Sequence, residues 1–423
     1  MYLIINIFGL LVFMALAVLF SKDRSAIKWR SVAVMSVFNL VLAWFLTDFS
    51  VGRSVVKGAS NGFNELISVA NQGIGFALNP QDSSAFHPTF ITSVLLPILL
   101  VVPLFDILTY IGVLPFVIKW IGRGLAKLSG QPKFESFFSV EMMFLGNTEA
   151  LAVSGLQLKT MNAQRNLTLA MMSMSCVTAS IIGSYTQMMP GQYILTAVPI
   201  NVVNALIVTA ILNPVDVTPE EDVIATVGGE GVPAAENAES GSQELAEGEV
   251  AKAAKPEREP FFSFLGDSIL GSGKLILIIA ANVIAFVALA AMADKILGWV
   301  NPWLSLEHIL GIIMFPFAWL MGVGGHSFDL AQFMGTKLIT NEFVVMGEVT
   351  HKIKHFNEHY AAVLTVFLTS FANFSTIGMI IGCFKGLVDD QKSKLIAKNV
   401  GYLLLSGILV SLFSAAMVGL FVW

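Results

Sequence analysis

The chain is short of charge and of cysteine. Only 13% of its 423 residues are Asp, Glu, Lys or Arg, 55% are hydrophobic, and the mean hydropathy is +0.76. A soluble domain carries about a quarter charged residues, so a water-soluble globular chain is excluded and a polytopic membrane protein is expected. Cys176 and Cys383, the only cysteines, both lie in apolar runs. That excludes a disulfide framework and argues against a thiolate metal site. The sequence also lacks a glycine-rich phosphate loop, a nucleophile elbow and a basic nucleic-acid-binding patch, which disfavours ATP-driven transport and a nucleic-acid partner. The first apolar run starts at Tyr2 with no basic stretch before it and no small-residue cleavage site after it, so it reads as a retained span.

Apolar runs of membrane length are what the sequence has in abundance. Full crossings are expected near Tyr2 to Phe20, Ser31 to Leu46, Phe90 to Tyr110, Asn166 to Met188, Tyr193 to Leu212, Gly273 to Met292, Ala361 to Cys383 and Leu403 to Phe421. Three further segments, Leu114 to Leu128, Phe134 to Leu158 and His308 to Met346, are too polar, broken or amphipathic to cross. With the N-terminus outside, 18 of the 24 lysines and arginines fall on the inner side, and only Arg53, Lys57, Lys295, Lys337, Lys352 and Lys354 fall outside. This bias places both termini outside a plasma membrane. The net charge of −5 is set by residues 215–260, which hold 12 of the 29 acidic residues. That Glu-, Ala- and Gly-rich stretch reads as a disordered cytoplasmic linker.

Two short polar clusters interrupt the apolar sequence, Gly146-Asn147-Thr148-Glu149 and Thr340-Asn341-Glu342, with their glutamates 193 residues apart. Each ionisable group at bilayer depth costs roughly 2.5–3.5 kcal/mol on insertion scales, so matched clusters in two halves of one chain point to a substrate site. Lys133 and Lys159 both belong inside, so 134–158 has to enter the bilayer and return, with Gly146 breaking the helix at its tip. Residues from about 328 to 353 repeat this plan from the outer side. Each hairpin precedes a helix with a polar middle: Ser173, Ser175, Thr178 and Ser180, then Ser370, Asn373, Ser375 and Thr376. The hydroxyls of the first set suit substrate contact and helix packing equally.

The organisation expected is therefore all-α. It has eight transmembrane helices and two oppositely oriented re-entrant helical hairpins. Residues 1–89 form a two-helix scaffold with an external amphipathic or loop segment from Asp48 to Pro88; 90–212 and 261–423 are inverted repeats, joined by the linker 213–260.

These motifs, with Asn341-Glu342-Phe343-Val344 and Phe371-Ala372-Asn373-Phe374-Ser375-Thr376, resemble those of the concentrative nucleoside transporters, from Tyr2 to Trp423 apart from the linker. The resemblance implies a homotrimer that imports nucleosides of the uridine, cytidine and adenosine class with a cation, and no catalysis or cofactor. Carried over by position, Gly146, Asn147, Thr148 and Glu149 would meet the nucleobase, and Glu342, Asn373 and Thr376 the ribose hydroxyls. Phe371 would supply an apolar wall, with Ile182 opposite. Carboxylates and amides have the donor and acceptor sets for these tasks.

Three positions depart from the family pattern. Asn147 stands where glutamine is usual, and Met142 and Val177 stand where sodium-coupled members carry an asparagine and a serine. A thioether and an isopropyl group supply no hard oxygen ligand. Proton coupling is therefore expected ahead of sodium coupling, with Glu342 and Glu149 the candidate carriers.

Other readings use the same residues or neighbouring ones. The H-x-x-E-H run His355 to His359 has zinc-hydrolase spacing, but it sits in a polar connector with no evident further ligand. A channel would use the two polar clusters as a filter. Asp106, near Pro103, serves either as a relay carboxylate or, preferentially, as a structural group on a kinked helix.

Overall fold

A computed structural model describes residues 1–78, 89–218, 221–222 and 259–423. Most of the expected linker lies outside the described residues. Among them every regular element is a helix. The N-terminal part holds α1 (Tyr2–Leu19), α2 (Trp29–Thr47) and α3 (Ser50–Leu78). The middle of the chain forms α4 (Ile98–Tyr110), α5 (Val113–Ser129), α6 (Lys133–Leu145), α7 (Asn147–Val153), α8 (Gly155–Thr160), α9 (Ala163–Met172), α10 (Ala179–Thr186) and α11 (Gly191–Leu212). After the linker come α12 (Phe261–Gly298), α13 (Leu306–Leu320), α14 (Ser327–Ile339), α15 (Glu342–Val349), α16 (Glu358–Leu368), α17 (Phe374–Leu387), α18 (Asp390–Lys398) and α19 (Val400–Gly419).

Among the described residues, six helical stretches are long and apolar enough to cross a membrane: α1, α2, Ile91–Tyr110, α11, α12 and α19. The chain is a helical multi-pass membrane protein. Two of the expected crossings differ. Asn166 to Met188 is split into α9 and α10, and Ala361 to Cys383 into α16 and α17. The cause is local. Thr178 and Asn373 turn their side chains onto the backbone N–H groups of Ser180 and Thr376, capping a new helix start instead of continuing the old one.

Of the amphipathic or loop segment expected from Asp48 to Pro88, the part up to Leu78 is the amphipathic helix α3, and 79–88 lies outside the described residues. In α3 the buried residues Gly52, Val56, Ser60, Ile67 and Ala70 recur on one face, against α2, α10 and α11. The span placed at Gly273 to Met292 belongs to the 38-residue α12. At 1.5 Å per residue this helix is about 57 Å long, well beyond a hydrocarbon core of about 30 Å.

The two most buried long helices, α11 and α19, pack on each other at the centre. Asn204 Nδ2 donates to Ser414 Oγ at 2.9 Å between them. Each also reaches the break in the other half of the chain. Asn201 Nδ2 of α11 donates to Thr369 O at 2.5 Å, and Ser406 Oγ of α19 donates to Met171 O at 3.0 Å. In an apolar interior the first bond satisfies a carbonyl that the broken helix leaves without an intrahelical partner, and the second adds to Met171 O, which also accepts Met174 N at 3.3 Å.

Polar contacts collect at two opposite ends. At one end Asn6 donates to Ala416 O at 3.1 Å, and His359 stacks on Trp423, so both termini share a face. At the other end Lys22 N meets Leu212 O at 3.0 Å, Arg165 forms a two-pronged pair with Glu135 at 2.7 Å, and Lys392 donates to Lys159 O at 2.6 Å.

Candidate functional site

The first cluster is built around a turn that only glycine makes easily. Gly146 has φ 95° and ψ 171°, and a Cβ there would stand 3.0 Å from the Thr178 Cβ. The turn sends α7 back along α6. Ser154 Oγ then donates to Glu141 Oε2 at 3.1 Å, joining residues on either side of the tip. At the tip Thr148 Oγ1 donates to Glu149 Oε2 at 2.5 Å, and Asn147 Nδ2 donates to Ser173 O at 3.3 Å. Asn147 is buried, whereas Glu149 is exposed. The hairpin is thus fastened to the break between α9 and α10 by neutral groups: the Asn147 amide, and at 3.5 Å the Thr178 hydroxyl on Phe144 O and the Ser173 hydroxyl on Met142 Sδ.

The second cluster is tighter. Asn341 caps α15 by accepting Val344 N at 3.1 Å, which makes Glu342 the first residue of that helix. Glu342 is buried at 3% exposure, and its two carboxylate oxygens accept separate bonds: Tyr185 OH at 2.8 Å and Asn373 Nδ2 at 3.1 Å. Asn373 is fixed at both ends of its amide. Its Oδ1 accepts Thr376 N at 2.8 Å and Thr376 Oγ1 at 3.0 Å. The starts of α15 and α17 therefore meet at one carboxylate, an arrangement their helix dipoles favour. Phe343 packs edge-on against Tyr185 with ring centroids 5.0 Å apart, closing one side.

Helix α10 joins the clusters. Thr178 lies against Gly146 and Tyr185 bonds Glu342. Thr178, Ile182 and Tyr185 follow a spacing of four and then three residues, so they share one helical face. Seven residues at 1.5 Å each put the two ends of this strip roughly 10 Å apart. Phe371, 9% exposed, lies in the break that ends in Asn373.

Glu342, Asn373 and Thr376 are thus in one hydrogen-bonded group, and Gly146, Asn147, Thr148 and Glu149 form the other with Thr178 and Ser173. Three residues here carry no assignment from the sequence: Tyr185, Glu141 and Lys337. Lys337, counted there among the external basic residues, is completely buried and donates to Phe367 O and Ser370 Oγ, both at 2.6 Å. The signal available was a lysine inside an apolar hairpin five residues before Glu342.

The positions aligned with sodium ligands are apolar and closed. Met142 is fully buried with its Sδ 3.5 Å from Ser173 Oγ, and Val177 is 2% exposed. Asp106 accepts a bond from Ser268 and so ties α4 to α12. The H-x-x-E-H residues point to separate partners. Glu358 accepts Tyr193 OH at 2.9 Å, and the ring nitrogens of His359 face Val422 O at 2.8 Å and Met321 O at 3.2 Å. These contacts occupy both ring nitrogens of His359, one of the two histidines that a zinc site would need.

Comparison with known proteins agrees with this architecture. The profile described as the C-terminus of Na+ dependent nucleoside transporters matches residues 193–419, and the corresponding N-terminal profile matches 8–81. The chain is 43% identical to the purine nucleoside transport protein NupG of Bacillus subtilis, over 100% of both chains. It is 26% identical to the nucleoside permease NupC of Helicobacter pylori, over 99% of this chain and 97% of that one. The solved inward-facing, substrate-bound structure of CNTnw superposes with a TM-score of 0.84 at 26% identity, covering 100% of this chain and 98% of that chain. The chain is a transporter and not an enzyme: it belongs to the concentrative nucleoside transporter family.

Proposed function

We propose that this protein imports nucleosides, purine nucleosides foremost, together with a proton, by alternating access across the plasma membrane. The observation that carries the substrate reading is the pair of polar clusters roughly 10 Å apart along α10, the span of a base joined to a ribose. Glu342, Asn373 and Thr376 take the ribose hydroxyls, and Asn147, Thr148 and Glu149 take the base. Phe371 and Ile182 bound the space between them. The amide of Asn147 is held through Nδ2 on Ser173 O and is one methylene shorter than glutamine, which leaves depth for a two-ring base. The name of the 43% identical relative supports the purine preference.

Proton coupling draws its support from Met142 and Val177, whose side chains present sulfur and hydrocarbon where a hard cation requires oxygen. Of the two candidate carboxylates, Glu342 is enclosed by two donors, whereas Glu149 accepts one bond from Thr148 and is open to solvent. Glu149 is the carrier better placed to exchange a proton. The second reading, sodium coupling, rests on the description of the family profiles. The segments 90–212 and 261–423 act as inverted repeats whose hairpins enter from opposite faces, with both termini outside. The assembly is a homotrimer.

Radiolabelled adenosine and uridine uptake into proteoliposomes, under proton and sodium gradients imposed separately, tests this reading. Adenosine accumulation driven by an inward proton gradient is expected, with less uridine. Accumulation driven by sodium alone transfers coupling to the second reading, and no concentrative uptake under either gradient overturns symport. Glu149→Gln is expected to flatten the pH dependence of uptake. Retention of the wild-type pH profile by both Glu149→Gln and Glu342→Gln would end the carboxylate-carrier account.

A further inference from the structure

Lys337 touches none of the groups assigned to substrate, yet it is one of the largest fully buried side chains. It lies on α14, five residues before Glu342. Its ammonium donates to Phe367 O and Ser370 Oγ, both at 2.6 Å, and sits 4.5 Å from the centre of the Phe367 ring. Ser370 Oγ in turn is 2.6 Å from Ser411 Oγ on α19. Phe367 O belongs to the last turn of α16, where carbonyls lack intrahelical partners and the helix dipole favours a cation. A buried amine is costly unless its hydrogen bonds are met, and here a carbonyl and a hydroxyl meet them.

The first hairpin makes the equivalent fastening with a neutral amide at 3.3 Å, from Asn147 to Ser173 O. The second makes it with two shorter bonds from one amine, both at 2.6 Å, to acceptors on either side of the end of α16. Two rungs then connect the second hairpin to its break: Lys337 to Phe367 and Ser370, and Glu342 to Asn373. Members of the lower rung also face the substrate. Only the upper rung is free to hold the geometry while Glu342 and Asn373 exchange partners with a ligand.

We infer that Lys337 is a positioning residue: a tethered ammonium that locks the α14–α15 hairpin to the break at 369–373, so that Glu342 and Asn373 present one fixed spacing to the ribose hydroxyls. The inference rests on the assignment of Glu342 and Asn373 to the ribose in the transport reading. It separates Lys337 from a purely structural lysine, because misplacing these two groups weakens recognition of the hydroxyls more than recognition of the base.

The test is binding of tritiated adenosine and 2′,3′-dideoxyadenosine to the purified full-length protein. Lys337→Met, similar in length and uncharged, is expected to lose about tenfold or more in adenosine affinity, as expected for a bond to an ionised group. Dideoxyadenosine affinity should change much less, so the ratio between the ligands collapses. Ser370→Ala should move that ratio the same way by a smaller step, and add little when combined with Lys337→Met. A wild-type ratio in both single variants overturns the inference. Should Lys337→Met fail to fold, Ser370→Ala decides, and an unchanged ratio there is fatal. If the wild-type protein binds both ligands equally, the ribose assignment itself falls, a result distinguishable from failure of Lys337 alone.

Discussion

Glu342 accepts a phenol on one oxygen and an amide on the other, and a glutamine in its place could satisfy only one of them. Its NH₂ group would either confront the Asn373 amide, donor against donor, or donate to the Tyr185 oxygen and leave the phenol's own proton without its acceptor. An unsatisfied buried polar group costs about 1–3 kcal/mol, so Glu342→Gln is expected to weaken nucleoside binding by about 10- to 100-fold. Tyr185→Phe removes one donor and leaves the acceptor a second partner, and a loss nearer about tenfold or less is expected. Scintillation proximity measurements on both variants check this order. Equal losses, or a larger one for Tyr185→Phe, would mean that the carboxylate is not the centre of the site.

At the level of elements, the unusual features are the interruptions, and Gly146 is the sharpest of them. Alanine at φ 95° and ψ 171° is strained by about 1–3 kcal/mol, and its methyl would come within 3.0 Å of Thr178. Gly146→Ala is therefore expected to reduce uptake severely, with protein still present in the membrane. Gly155→Ala is the matched control, since a Cβ there meets only Leu387 Cδ2 at 3.6 Å. Equal uptake by the two variants would remove the tip from the mechanism. This element was readable in the sequence, because a glycine followed by Asn, Thr and Glu inside an apolar run is a local signal. Asn373 and Thr376 were readable as polar residues inside an apolar run, but not as a cap and its target. The breaks themselves looked like continuous spans, since hydropathy averages over the few polar residues that end one half-helix and start the next. Tyr185 was invisible for another reason. Its partner lies 157 residues away, and an aromatic in an apolar segment reads as packing until tertiary structure supplies the carboxylate. Lys337 was misplaced because a charge count assigns lysines to surfaces, and only the fold shows one drawn inside by a helix end.

For the molecule as a whole, α11 and α19 bind the two breaks crosswise, which predicts that damage at their crossing reaches both clusters at once. Gly407 of α19 lies where this helix meets both breaks. A Cβ there would stand 2.9 Å from the Ala372 Cβ and 3.0 Å from the Met174 Cβ, one in each break. Valine adds three carbons to that gap, and overpacking of a closed interior costs about 1–3 kcal/mol or more. The wedge displaces the backbone that carries Phe371 and Asn373 on one side and the backbone next to Ser173 on the other. Gly407→Val should thus weaken binding of a nucleoside lacking ribose hydroxyls as well as of the parent nucleoside, unlike Lys337→Met, whose effect is confined to the ribose end. Gly401→Val on the same helix has nothing within 4 Å and should behave as wild type. Paired affinity and thermal-unfolding measurements on the three variants distinguish the cases. A Gly407→Val protein that lost recognition of the ribose alone, with the base end intact, would show that the breaks answer to their own hairpins and that the crossed helices do not couple them.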